Sequence, residues 1–439
     1  MNKPQLRLFN KNFTLLLSSQ CATLLGSTVY SVVLVLYLKQ LTGSATVIGI
    51  VELLAFLPWV ILGPFAGAMV DRMSEKTVIV LSFFFRGILM LMLSLFSLDF
   101  FFTLKVVDRG FSEFTLPAYP FPVYAVFVVT LCMGIIDSAF NAALYSIIPR
   151  ILNNECIQRG NSMFQGVGGV LAMIGNALGG MIFAVTGGTL VFLLNGISYF
   201  TAAAAGLFLS FGPKQHAVAK RKVTRGFFGD VKEGFDFIWT NKGLRSQTIV
   251  YSLSNLFFPT VMLSLPFLIE DVLKFGTAYY GYLLSTLTLS SIVGYLGFGL
   301  LKTTDKQNYV VICVIFIAEA LLFLLLSVTK NCYLDFALLA LVSICMAISK
   351  LINTSIKQKV IPEALRGRVF ATLDSINGGL VPLSFAVGGI LIDKVHKNIP
   401  LIYGMIFGVY SVLAVWFVMS KSIRMFYLAL PSHGKESSL

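Results

Sequence analysis

Gly63-Pro64-Phe65-Ala66-Gly67-Ala68-Met69-Val70-Asp71-Arg72-Met73-Ser74-Glu75-Lys76 marks an abrupt border between two apolar stretches. Before the charged cluster that closes it, residues 46–70 hold Glu52 as their single ionisable side chain; after it, residues 77–98 hold Arg86 alone. A helix needs about 20 apolar residues to cross a ~30 Å hydrocarbon core, and a chain in lipid has to satisfy its backbone hydrogen bonds within itself. Each stretch therefore predicts one membrane-spanning helix, with the charged border as the turn between them.

The same alternation runs outward in both directions and predicts twelve spans, near 13–38, 46–70, 77–98, 122–148, 161–184, 188–211, 246–268, 278–301, 308–328, 334–356, 368–392 and 399–420. The composition agrees: 57% hydrophobic and 12% charged, with a mean hydropathy of +0.85, where a soluble domain carries about 25% charged residues. The fold class is thus an all-α membrane protein whose short connections leave no room for a soluble catalytic domain. The net charge of +13 would suggest nucleic acid in a soluble protein, but here its location decides. Most of the basic residues fall in connections on one side, and the other side has only Lys39, Lys105, Arg109, Lys274, Lys330, Lys394 and Lys397. The positive-inside rule then places both termini in the cytosol, with the chain in the cell membrane. The first run is too long for the apolar core of a cleavable signal and lacks a small-residue cleavage site. The six cysteines show no spacing that suggests a disulfide framework or a zinc site, so they read as packing residues, and neither a metal nor a cofactor is expected.

The longest polar interruption falls after the sixth span. It divides the chain into a six-helix bundle over 1–211, a cytosolic linker over 212–245, a second bundle over 246–420 and a cytosolic tail over 421–439. Within the linker, Phe227, Val231, Phe235 and Trp239 recur every fourth residue, which predicts an amphipathic helix on the membrane surface. The two bundles echo one another. Gly49 and Gly67 on span 2 correspond to Gly281 and Gly299 on span 8. Ile148-Pro149, Arg159-Gly160 and Gly179-Gly180 correspond to Ile361-Pro362, Arg366-Gly367 and Gly388-Gly389. Parallel six-helix repeats with a site between them are a transporter arrangement.

The border motif, with Gly63, Gly67, Asp71, Arg72 and Lys76, resembles the loop 2–3 signature of the major facilitator superfamily. Leu41-Thr42-Gly43-Ser44-Ala45, Val231-Lys232-Glu233-Gly234, Asn241-Lys242-Gly243-Leu244 and Ile361-Pro362-Glu363-Ala364-Leu365-Arg366-Gly367-Arg368 are similar to its macrolide-efflux and siderophore-exporter branch. The resemblance covers both halves and implies two pseudo-symmetric six-helix bundles. The residue chemistry of the motif is legible: Gly67 lets another backbone approach, Asp71 can face the positive end of a neighbouring helix, and Arg72 and Lys76 can hold it there. The resemblance implies that this neighbour is the start of span 11, near Arg368, and that the contact latches the inner gate. On span 5, Gly175, Gly179 and Gly180 are similar to the antiporter motif of the family, with Asn176 in place of its proline and Leu171 in place of an earlier glycine.

Ionisable side chains inside a bilayer cost several kcal/mol unless paired or wetted, so each is a functional candidate. These are Glu52, Arg86, Asp137, Glu319, Lys350 and Asp374. At ~1.5 Å per residue, Arg86 and Asp137 lie about 15 and 18 Å from the inner ends of their spans, near the midplane. Lys350 and Asp374 lie roughly 10 Å deep, close enough to pair. In the resembled fold, spans 1, 4, 7 and 10 line the cavity. This favours Asp137 as a carboxylate neutralised by a proton or a cationic substrate, and it favours Lys350. It makes Arg86 and Glu319 candidates for buried structural ion pairs. Asn141, Tyr145, Gln20, Tyr30, Asn255 and Asn353 are polar candidates for the lining. Span 1 lacks the acidic residue common in the family. Residues 99–121 read as an outer loop with many aromatics, suited to the membrane interface.

A membrane enzyme should show a cluster with catalytic spacing, but His216, His396 and His433 lie outside the spans, and the phosphate-binding pattern of a primary pump is absent. The reading is a monomeric secondary transporter with no catalytic residues, an antiporter that exports an amphipathic small molecule such as a drug or macrolide, with protons as coupling ion. The alternative is export of an endogenous metabolite such as a siderophore, or lysolipid flipping. Uptake by symport ranks third.

Overall fold

The computed structural model describes residues 9–98, 120–152, 154–210 and 227–428, and the regular structure among them is helical. The twelve spans are Lys11–Thr42, Ala45–Arg72, Glu75–Phe96, Phe121–Ile151, Asn154–Thr186, Thr189–Leu207, Lys242–Val272, Ala278–Gly299, Asp305–Val328, Cys332–Val360, Glu363–Lys394 and Ile399–Met419. Each contains a stretch long and apolar enough to cross a membrane. The aromatic loop expected before span 4 and the basic part of the linker lie outside the described residues.

Local chemistry sets the helix ends. Asn10, Ser74, Asn241, Thr304, Asn331 and Asn398 each cap a helix by accepting from a backbone N–H of its first turn, which satisfies donors that the helix itself leaves free. Span 1 stops at Gly43, whose φ of 62° is left-handed, a conformation open to glycine at little cost. Span 7 is built from three pieces, Lys242–Asn255, Phe258–Phe267 and a π-turn at Leu268–Val272. Pro266 lies just before the π-turn, and its missing N–H interrupts the regular ladder there.

The repeat anticipated from glycine spacing extends to packing and charge. Span 3 packs on spans 4 and 6, as span 9 packs on spans 10 and 12. Ser74 caps span 3 and is followed by Glu75, which pairs with Arg150 at the end of span 4. Thr304 caps span 9 and is followed by Asp305, which pairs with Lys359 near the end of span 10 at 2.6 Å.

The chain forms two compact units. One comprises Met1–Gln215 with Leu263–Thr288 and Phe385–Lys394; the other comprises His216–Met262, Leu289–Ser384 and Val395–Leu439. In the second, the linker helix Phe227–Thr240 seats Gly234 against Arg368 and Thr372 of span 11, and Glu233 pairs with Arg368 at 2.7 Å. Phe235 and Trp239 stack at 5.4 Å on its exposed side, whereas the side chains of Phe227 and Val231 lie outside the described residues. A short helix, Lys421–Leu428, follows span 12 in the segment read as a tail. It buries Ile423, Phe426 and Tyr427, and Gln247 of span 7 donates to the Tyr427 hydroxyl at 2.7 Å.

Candidate functional site

The polar centre of the first unit is built by spans 1, 3, 4 and 6. Arg86 sits on the buried face of span 3 with Phe83 and Met90, and it pairs with Asp137 of span 4. Its guanidinium carbon lies 4.3 Å from the centroid of Phe140 and 5.7 Å from that of Tyr199. Each ring face adds an attraction worth about 0.5–2 kcal/mol to a desolvated cation. Tyr199 in turn shares a 2.8 Å hydrogen bond with Ser27 of span 1, and Phe83 packs on both rings. The Arg86 side chain is 8% exposed and that of Asp137 is 48% exposed. The cation is buried while its counter-ion is about half exposed.

Glu52 of span 2 lies in the electrostatic reach of Tyr30 of span 1 and Tyr280 of span 8, and it forms no ion pair with a described residue. Asn141 is half-buried one helical turn beyond Asp137. The side chain of Tyr145 lies outside the described residues. In the second unit, Glu319 is 5% exposed among Tyr251, Cys345 and Tyr410. The two residues read as structural candidates thus part company: Arg86 takes Asp137 as its partner, while Glu319 has no ion-pair partner among the described residues. Lys350 and Asp374 are both exposed and form no ion pair with a described residue, although Asp374 lies in the field of Lys357 and Lys350. Asn255 ends the first piece of span 7, and Asn353 keeps an unpartnered buried oxygen.

For the border motif, span 2 continues as helix to Arg72, so Asp71 is its penultimate residue; the side chains of Gly67, Asp71 and Arg72 lie outside the described set. Lys76 donates to the carbonyl of Leu207 at 2.6 Å, so it anchors the end of span 6. On span 5, Gly175 and Gly179 face Thr28 and Val32 of span 1, and Gly180 abuts the backbone of Gly281 at the start of span 8. A Cβ on Gly281 would lie 2.4 Å from the carbonyl oxygen of Asn176, closer than two such atoms can stand. Asn176, in place of the family proline, donates to Thr288 at 3.2 Å.

Sequence reasoning missed a charged cluster on the face where span 1 ends. Lys39, 8% exposed, donates to Glu270 at 2.7 Å, to Asp271 at 3.2 Å and to the carbonyl of Pro266 at 3.0 Å. Beside it, Asp393 of span 11 accepts from the hydroxyls of Ser44 and Thr46, each at 2.6 Å, and from the backbone N–H groups of Ala45 and Thr46 at 3.0 and 2.9 Å. The available signal was a lone lysine ending span 1 and an adjacent Glu-Asp pair ending span 7.

Twelve spans in paired six-helix repeats, a buried ion pair and a glycine seam define a polytopic membrane transporter. The chain belongs to the Major Facilitator Superfamily, whose family model matches residues 16–383. It is 20% identical over 390 residues to Macrolide efflux protein A of Streptococcus pyogenes, covering 87% of this chain and 89% of that protein. It is 22% identical over 374 residues to the MFS-type transporter YfmI of Bacillus subtilis, covering 84% and 86%. Among solved structures it resembles the nucleoside transporter NupG, with TM-score 0.67 and 14% identity over 93% of this chain and 98% of that one. A bacterial homologue of the iron transporter ferroportin gives TM-score 0.64 and 14% identity over 92% and 97%.

Proposed function

We propose that this chain is a secondary active exporter that moves an amphipathic small molecule of drug or macrolide type out of the cell in exchange for protons. It acts as a monomer in the cell membrane with both termini in the cytosol, so that the face where span 1 ends is the outer one. The observation that carries this reading is the Arg86–Asp137 pair, a buried fixed cation beside a half-open carboxylate. A proton or a cationic group of the cargo that reaches Asp137 displaces Arg86, and a pair that is remade on release couples the two events. Glu52 is the second carboxylate on the route. Macrolide efflux protein A among the relatives supports efflux and an amphipathic cargo. Asp71 at the end of span 2 acts as the inner latch on the start of span 11.

Inverted membrane vesicles with an imposed pH gradient test the reading against labelled macrolides, dyes and siderophores. Accumulation of a macrolide or dye that collapses with the gradient is the expected result. Gradient-independent movement of every compound overturns proton coupling, and accumulation of siderophores alone overturns the cargo class.

A further inference from the structure

Spans 2 and 11 end alike. Span 2 closes on Gly67-Ala68-Met69-Val70-Asp71-Arg72 and span 11 on Gly389-Ile390-Leu391-Ile392-Asp393-Lys394. Both read glycine, three apolar residues, aspartate, base, and in both the aspartate is the penultimate helical residue. An even-numbered and an odd-numbered span run in opposite directions, so the two copies of the pattern sit on opposite faces of the membrane.

The second copy is engaged in this structure. A Cβ on Gly389 would lie 2.5 Å from the carbonyl oxygen of Ala45 and 2.9 Å from the Cα of Thr46; only the absence of a side chain lets span 11 come so near the first turn of span 2. One turn later Asp393 accepts two of the free N–H groups of that turn and both neighbouring hydroxyls. A carboxylate there gains from charge-assisted bonds and from the positive helix end together. Gly49, one turn into span 2, repeats the close approach, since its Cβ would meet the carbonyl oxygen of Phe385 at 2.3 Å. The physical roles that the sequence assigns to Gly67 and Asp71 at one face are performed by Gly389 and Asp393 at the other.

We propose that spans 2 and 11 carry reciprocal latches: Asp393 on the start of span 2 holds the outer face shut, and Asp71 on the start of span 11 holds the inner face shut, each made as the other breaks. The proposal rests on the alternating-access reading and on the inner latch given above. Asp393 is the outer gating residue, and the two helices form a pair in which each one's C-terminal carboxylate serves the other's N-terminus.

Spin labels at the exposed positions Gln40 and His396 report opening of the outer face in the full chain reconstituted in lipid nanodiscs. Asp393→Asn is expected to raise the ratio of outer-open to outer-closed protein by about fivefold or more, the factor that loss of one charged helix cap brings. Gly389→Val acts through bulk and shifts the ratio the same way, Asp393→Glu stays near the parent, and Asp71→Asn shifts it oppositely. An unchanged distribution in both Asp393→Asn and Gly389→Val, beside a shift in Asp71→Asn, overturns the outer latch and leaves the inner gate standing. A shift in Asp393→Asn with none in Asp71→Asn overturns reciprocity and removes the inner latch instead.

Discussion

Arg86 and Asp137 are unequally hidden: the guanidinium side of their ion pair is 8% exposed and the carboxylate side 48%. Removing one partner is therefore a different injury from removing the other.

Asp137→Asn strands a buried cation, and breaking a buried pair in this way costs about 3–5 kcal/mol. Arg86→Met leaves a carboxylate that is only about half covered by the protein, so its cost is smaller. Thermal unfolding in detergent should rank the parent above Arg86→Met and Arg86→Met above Asp137→Asn, with the double variant recovering part of the loss. All three variants should fail to drive uphill export in inverted vesicles. Uphill export by Asp137→Asn at the parental rate makes the pair purely structural and turns attention to Glu52.

The glycine seam gives a steric prediction. Gly281→Val places bulk where even a Cβ stands 2.4 Å from Asn176, and overpacking of that kind costs roughly 1–3 kcal/mol. The cost falls on the conformation in which span 8 meets span 5. The variant should reach the membrane at parental abundance by immunoblot yet transport at less than about a tenth of the parental rate.

Lys39 neutralises two carboxylates at once. Lys39→Met leaves Glu270 and Asp271 adjacent without their cation, and should destabilise the face where span 1 ends by about 1 kcal/mol or more. The swapped pair Lys39→Glu with Glu270→Lys should recover part of the transport that Lys39→Met loses, measured as efflux from loaded cells. No recovery means that the Pro266 carbonyl, and not the charge pair, is what Lys39 serves.

The inner latch predicts that Asp71→Asn leaves insertion and abundance unchanged while it slows turnover, because a few tenths to about 1 kcal/mol of helix-end attraction is removed from one access state. Parental turnover by that variant eliminates the latch.

Sidedness is checked by reporters. A fusion after Leu439 or within Ala217–Lys222 should behave as cytosolic, and one within Asp108–Thr115 as external; an external signal at Ala217–Lys222 reverses the orientation and exchanges the two gates.

The spans were legible because a crossing helix is encoded by about 20 residues whose contributions to hydropathy simply add. The helix Lys421–Leu428 was not, since eight residues carry too little periodicity, and its stability comes from burying Ile423, Phe426 and Tyr427 against distant sequence. In the centre, depth along the spans already put Arg86 and Asp137 within a few ångströms of the same level. Ranking by which spans line the cavity pulled them apart, because depth is a property of one helix while the facing direction of Arg86 is fixed by its packing on Phe140 and Tyr199. Asp393 escaped notice for a related reason. A charge at a helix end reads as a marker of sidedness, and only the approach of another backbone turns it into a cap.

The two bridges Glu75–Arg150 and Asp305–Lys359 each join consecutive spans, across 75 and 54 residues of chain. In each bridge both residues belong to the same half. Spans 3 and 4 can therefore be cross-braced as soon as Arg150 has left the ribosome, long before span 9 is translated, and the later half can repeat the step on its own schedule. The order of synthesis is written into the pairing: each half stiffens from within before the two have to be matched.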